Sequence, residues 1–176
     1  MLIVSTVVLA LIAGGAGFTV WANTPSEVPK AAITTDQPQP PTKEELLRLV
    51  NEERAKAGVA PLALSDNIQL TAQWKADDML NRNYFGHFPE TMDGQPNTEN
   101  NTVNKEMRDL LGKSCLSSSE NISTAHGFVN HAKGAIKGWV ESPPHYKAMV
   151  DPSYESIGFG VSNDYVKIVA HFCDEK

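Results

Sequence analysis

From Met1 to Ser26 no side chain ionises, and Leu2–Ala22 is almost wholly apolar or small. That run divides the chain before anything else does. About 20 apolar residues rising 1.5 Å each match the hydrocarbon thickness of a bilayer, so a membrane-spanning helix over 1–22 is expected. A secretory signal peptide is the competing reading, with Val20-Trp21-Ala22 as a small-residue cleavage site. Flanking charge fixes no orientation. Either reading exports the remainder. A retained helix leaves it at the cell membrane facing outward, and a cleaved one leaves it secreted.

Asn23–Pro41 holds Pro25, Pro29, Pro38, Pro40 and Pro41, five of the eleven prolines, and reads as an extended, solvated linker over 23–41. The folded unit is then 42–176, long enough to bury roughly two thirds of its unfolded surface as one domain. Lys and Arg number 15 against 21 Asp and Glu, a formal net charge of −6. Nucleic-acid binding needs a cationic footprint, so that class of partner is excluded as the main role. Cys115 and Cys173 are the only cysteines. In an exported domain two thiols are expected to pair, the other reading being two unpaired cysteines, one of them buried.

Thr42-Lys43-Glu44-Glu45 is a capping box that starts a helix carrying Leu46, Leu47, Val50 and Ala57 on one stripe, with Gly58 as its stop. Ser65 is placed to cap a second helix through about Arg82, with Ile68, Ala72, Ala76, Met79 and Leu80 facing the core. Val103, Met107, Leu110 and Leu111 mark a third helix. Ala132, Ile136 and Trp139 mark a fourth over about Val129–Val140, ended by Pro143-Pro144 before a turn that carries His145. The period then changes from helical to alternating. Ser156–Val161 and Tyr165–Cys173 read as strands joined by a hairpin turn, and Leu116–Ile122 as a further strand. Helices first and strands last predict an α+β layered fold with a mainly antiparallel sheet.

Five histidines could carry chemistry: His87, His126, His131, His145 and His171. His87 follows the second helix in Tyr84-Phe85-Gly86-His87-Phe88-Pro89, an irregular segment with aromatic walls of the kind on which sites are built. His145 sits in the stiff Ser142-Pro143-Pro144-His145-Tyr146 turn. His126 and His131 flank the fourth helix and are expected to be solvated. His171 shares a strand face with Lys167, turned either to the helices or to water. Asn100-Asn101-Thr102 and Asn121-Ile122-Ser123 fit the N-glycosylation pattern only weakly.

Asn51-Glu52-Glu53-Arg54, Ala57-Gly58, Pro61-Leu62, Ala72, Tyr84-Phe85-Gly86-His87, Glu120-Asn121-Ile122, Trp139 with Ser142-Pro143-Pro144-His145, and Ile157-Gly158-Phe159-Gly160-Val161 stand in one order. In that order and spacing the chain resembles the CAP superfamily (cysteine-rich secretory proteins, antigen 5 and pathogenesis-related 1 proteins), in particular its bacterial SCP-domain branch. The likeness runs from about Leu46 to Phe172. It implies a three-layer α-β-α sandwich with a central antiparallel sheet, and a cleft lined by two histidines and two acidic residues. His87 matches the first histidine and His145 the second. Glu120 matches the first glutamate, although Ser119 stands where the family has glycine. The second acidic position is Ser142 here. Glu141 is one residue away, a rotation of about 100° on a helix, and Glu155 is a further nearby carboxylate. A triad of His87, Glu120 and His145 is therefore carried over rather than a tetrad.

Two imidazoles suit Zn²⁺ or another divalent cation at about 2.0–2.1 Å, so His87 and His145 are the candidate metal ligands. Glu120 has three possible roles: a third ligand, an acceptor for an imidazole N–H, or a catalytic base for bound water. A purely architectural hydrogen bond from His87 to Glu120 is the plain alternative. Three functions follow as expectations. The first is a tethered surface domain whose His/Glu cleft takes a metal, a small molecule, a lipid or a cell-envelope ligand in an interaction role. The second is a metal-assisted hydrolase of an envelope polymer or peptide. The third is a lipid or sterol carrier, which would need an apolar groove.

Overall fold

The structure is a computed structural model that describes residues 40–87, 102–124 and 127–175. The expected N-terminal helix over 1–22, the linker up to residue 39 and His126 lie outside the described residues. Among the described residues no helix is long and apolar enough to cross a membrane.

Helix α1 spans Lys43–Lys56 behind Thr42, whose hydroxyl accepts the Glu45 N–H at 3.1 Å. The other arm of the expected capping box does not close. Glu45 Oε1 instead accepts from Asn130 Nδ2 at 3.0 Å, and Asn130 itself caps Lys133 N of a later helix. One cap thus braces the next. Leu46 and Val50 are buried as predicted, whereas Ala57 is exposed at the helix end, and Arg54 turns inward with no exposure. Its guanidinium donates to four carbonyls: Ala60 at 2.7 Å, Met149 at 3.0 Å, Asp151 at 2.8 Å and Tyr154 at 3.2 Å. A buried cation is tolerable here because every donor arm has an acceptor.

Strand β1 (Ala63–Leu64) leads into α2 (Asp66–Asn81). Helix α3 covers Thr102–Leu111, β2 Cys115–Thr124 and α4 His131–Glu141. The expected turn around His145 is a short helix, α5 (Pro143–Met149), with Ser142 as its cap residue and prolines in its first turn, where a missing N–H costs nothing. Strands β3 (Ser156–Val161) and β4 (Lys167–Glu175) close the chain. β4 begins two residues later than predicted. The Ser162 hydroxyl accepts Lys167 N–H at 2.9 Å and Asp164 accepts Val166 N–H at 3.1 Å, so Tyr165, at φ 59°, belongs to the turn.

The sheet runs β1-β3-β4-β2. β3–β4 and β4–β2 are antiparallel, as a mainly antiparallel sheet requires, but β1 pairs with β3 in parallel, so the sheet is mixed and the wholly antiparallel sheet that the resemblance implies is corrected. A two-residue strand carries too little pattern to be read from sequence. Alternate residues of β3 and β4 feed opposite cores. Ile157, Phe159, Ile168, Ala170 and Phe172 pack with Leu46, Val50, Trp139 and Met149 of α1, α4 and α5. On the other face Val169, Cys173 and Ile122 meet α2 and α3 through Ile68, Ala72, Met79, Val103 and Met107. The result is five helices in two layers about one sheet. Cys115 and Cys173 form a disulfide with Cα atoms 5.5 Å apart, joining β2 to β4.

Helix α2 lies so close to β3 that a Cβ on Gly160 would sit 1.9 Å from the Ala72 carbonyl oxygen, and one on Gly158 would sit 2.3 Å from Gln69 N. Only glycine permits that approach. It brings two glutamines of α2 onto the strand's backbone. Gln69 donates to Phe159 O and accepts Phe159 N–H at 3.1 Å, while Gln73 donates to Val161 O at 2.9 Å and accepts Val161 N–H at 3.1 Å. Four helical residues rise about 6 Å and two strand residues about 6.7 Å, so the two spacings match.

Candidate functional site

Glu120 and His171 face each other across the β2–β4 ladder, on the side covered by α2 and α3. Glu120 Oε2 lies 2.8 Å from His171 Nε2, and Glu120 Oε1 lies 2.8 Å from His87 Nδ1. One carboxylate therefore holds two imidazoles. Its side chain is 4% exposed while that of His87 is 42% exposed, so the acceptor is dry and one ring reaches solvent. Burial pushes the Glu120 carboxyl up, but the hydrogen bonds from His171 and His87 outweigh burial and hold it at about 2. Fully engaged and strongly acidic, this carboxylate is better suited to holding rings than to taking a proton from water.

His87 lies beyond α2 on a segment turned by Asn83 at φ 53°. Lys75 fixes that segment from beneath, its ammonium donating to His87 O at 2.8 Å and Tyr84 Oη at 3.1 Å, while Tyr84 Oη donates to Asp78 at 2.6 Å. His145, on α5, pairs its Nδ1 with Ser142 Oγ at 2.8 Å, and its carbonyl accepts from Asn121 Nδ2 at 2.9 Å. The two ring centres stand 6.1 Å apart with planes inclined 36°. Burial, then the neighbouring His87, lowers the His145 pKa and favours its neutral, ligating form. Each Nδ1 is occupied by a protein oxygen, and among the described residues neither Nε2 has a hydrogen-bond partner.

Two imidazoles are the donor type that a divalent cation takes. A tetrahedral ion 2.0–2.1 Å from two Nε2 atoms puts ring centres about 5 Å apart, against the 6.1 Å observed. A second group, Glu106, Glu120 and His171, offers ligand atoms within 4.8 Å of one another. There the ring is already committed: His171 Nδ1 lies 3.0 Å from Thr71 Oγ1 and Nε2 is bonded to Glu120. Ser142 contributes its hydroxyl to His145, Glu141 is exposed and paired with Lys137, and Glu155 is exposed. Among the described residues none of these supplies a second acid to the cleft. His131 begins α4, and its Nδ1 has no hydrogen-bond partner among the described residues.

Sequence reasoning left His171 undecided and did not single out Lys75 or Glu106. All three are buried on the α2–α3 side. A signal existed for two of them. Lys75 falls on the Ile68, Thr71, Ala72, Ala76, Met79 stripe, and Glu106 sits between Val103 and Met107 on theirs. A charge on an apolar stripe marks a buried partner.

Glu106 behaves oppositely to Glu120. Burial, then repulsion from Glu120, raises its carboxyl to about 9. In the unfolded chain both groups titrate near 4.5. Between pH 2 and 4.5 the unfolded chain holds the extra proton on Glu120, so stability rises with pH. From 4.5 to 9 the folded chain holds the extra proton on Glu106, so stability falls. Urea unfolding should therefore show a maximum near pH 5, with each limb worth about 3 kcal/mol by pH 2 and pH 7. Glu106→Gln should flatten the alkaline limb alone. An unchanged midpoint from pH 5 to 7 in the wild-type chain would contradict this assignment.

A family model, CAP (cysteine-rich secretory protein family), matches residues 47–173. Among curated relatives, the uncharacterized protein YkwD of Bacillus subtilis is 29% identical over 144 residues, 78% of this chain and 51% of that protein. The uncharacterized membrane protein YlbC of the same organism is 27% identical over 130 residues, 72% of this chain and 33% of that protein. The chain thus spans about half or less of the curated relatives it matches. An extracellular SCP-domain protein from Bacillus anthracis superposes with a TM-score of 0.60 at 22% identity, covering 74% of this chain and 39% of that one. An outer surface protein from Borrelia burgdorferi also gives 0.60, at 19% identity, covering 77% and 96%. At these identities the structural likeness concerns the fold.

Proposed function

This chain belongs to the cysteine-rich secretory protein family, and from that premise we propose that it presents His87 and His145 as a divalent-cation or small-ligand site on an exported domain. One observation carries the reading. Both rings are anchored through Nδ1: the Glu120 carboxylate, an acceptor only, fixes the His87 tautomer that leaves Nε2 for a ligand, and the Ser142 hydroxyl is able to accept from His145 Nδ1 in the same tautomer. Zn²⁺ is the first ion to test, since paired neutral imidazoles suit its borderline softness. With Glu120 occupied on both oxygens, the site favours binding and presentation over turnover.

Three features support an exported setting: the uncharged N-terminal run as membrane tether or export signal, the Cys115–Cys173 disulfide, and the surface or extracellular descriptions of relatives. Calorimetric titration of the purified full chain with Zn²⁺ should give one equivalent bound. His87→Ala and His145→Ala should each weaken it at least tenfold, because each removes one of two nitrogen ligands, and His87→Ala should also lose stability because it strips Glu120 Oε1 of its partner. Binding of equal strength in all three proteins would remove the metal claim.

A further inference from the structure

Consecutive residues of a strand point to opposite faces of its sheet, and at Glu120 and Asn121 of β2 each face holds one of the two cleft histidines. On the α2–α3 side Glu120 Oε1 binds the His87 ring at 2.8 Å. On the α4–α5 side Asn121, paired in register with the core residue Ala170, donates from Nδ2 to the His145 carbonyl at 2.9 Å. One residue further along, the Ile122 carbonyl accepts from Trp139 Nε1 of α4 at 3.0 Å. Helix α5 needs such a tie. It is seven residues long, and Ser142 both closes α4 and opens α5. Ser142 cannot place His145 against the sheet, because it moves with the short helix that carries them both.

Asn121 is 1% exposed, and its Oδ1 has no hydrogen-bond partner among the described residues. A buried acceptor left unmet costs stability, whereas a leucine of nearly the same shape would carry no such cost. The amide is explained by what its N–H holds. We infer that Asn121 is a positioning residue: it fixes the His145 main chain to the strand residue beside Glu120, and so sets the separation of the two imidazoles. The inference rests on the two-imidazole reading above and names the residue that gives that site its width. Strand β2 is then a common rail for both rings. Their spacing follows from one step along a strand, about 3.4 Å, rather than from how the two helical layers happen to pack.

The test compares the purified full chain with Asn121→Leu. With a chelator present, the wild-type rings, 6.1 Å apart between centres, should give a proton NOE between His87 and His145. In Asn121→Leu that NOE should weaken severalfold while Tm stays within about 2 °C of wild type or rises, since the unmet acceptor goes with the lost donor. Without the chelator, Zn²⁺ affinity should fall about tenfold, as for other groups that orient a ligand ring. Asn121→Thr, whose hydroxyl is one bond shorter than the amide, decides the matter if the leucine variant does not fold, and should lose NOE and affinity alike. A wild-type chain without the NOE overturns the inference, as does a folded variant that keeps it at full strength. An unchanged or higher Zn²⁺ affinity in the variant, beside a wild type that binds the ion, overturns it too. A wild type that shows the NOE but binds no Zn²⁺ removes the metal reading instead, and the NOE comparison alone then decides for or against Asn121.

Discussion

Alanine at both Gly158 and Gly160 should abolish folding. Each new Cβ would meet the backbone of α2 rather than the end of a movable side chain, with approaches of 2.3 Å at Ile68 C and 1.9 Å at Ala72 O. Overpacking a core typically costs 1–3 kcal/mol when side chains can adjust. Here the helix itself would have to lift, breaking the four glutamine hydrogen bonds to β3 and displacing the Lys75 that supports His87. About 3 kcal/mol or more per site, about 6 together, reaches the lower range of a domain's whole stability. Gly138→Ala is the contrast. Nothing lies within 4 Å of its added Cβ on α4, so the helix should gain about 0.5–1 kcal/mol. Urea titrations followed by far-UV circular dichroism compare the three proteins. A double variant with a midpoint near wild type would mean that α2 and β3 are not in this contact.

The second large effect is expected at Glu120→Ala. It strips the acceptor from His171, which is fully buried, frees the His87 ring, and removes the foremost negative field acting on Lys75. Removing one partner of a buried charged network costs about 3–5 kcal/mol. In the proposed metal site the loss of the group that orients a ligand ring should lower Zn²⁺ affinity 10–100-fold. Glu120→Gln should fall between, because its one carbonyl can accept from only one of the two rings. Ser142→Ala makes the comparison sharper. It loosens His145 alone and leaves His171 and Lys75 satisfied, so affinity should drop with little change in stability. If Glu120→Ala retains stability within 1 kcal/mol, the network described around it is wrong.

Much of this molecule was legible in its residues because local signals there have local causes. The Thr42 cap, the helical stripes and the alternation in β4 each state a rule of geometry, and the helices appear within a residue or two of where those rules put them. The strand through Ser117, Ser118 and Ser119 was harder, since its residues are half-buried and take their order from β4. Strand β1 could not be seen, for two residues carry no period. The parallel step in the sheet went with it.

At the cleft the order of motifs singled out His87, Glu120, Ser142 and His145, and the fold brings His87 and Glu120 together and stands the two imidazoles 6.1 Å apart. What it could not give was the depth behind them. Whether His171 turns inward depends on which face of the sheet α2 covers, a tertiary fact. Lys75 and Glu106 were readable as charges on apolar stripes, yet only packing shows what each meets: the His87 carbonyl and Tyr84 for the one, His171 for the other.

The paired contacts of Gln69 and Gln73 along β3 have a further consequence. A strand flank with bare amides and carbonyls invites the extended segment of any neighbouring molecule to dock and extend the sheet. Two side-chain amides already occupy the docking positions at Phe159 and Val161. A neighbouring extended segment would find those two positions already filled.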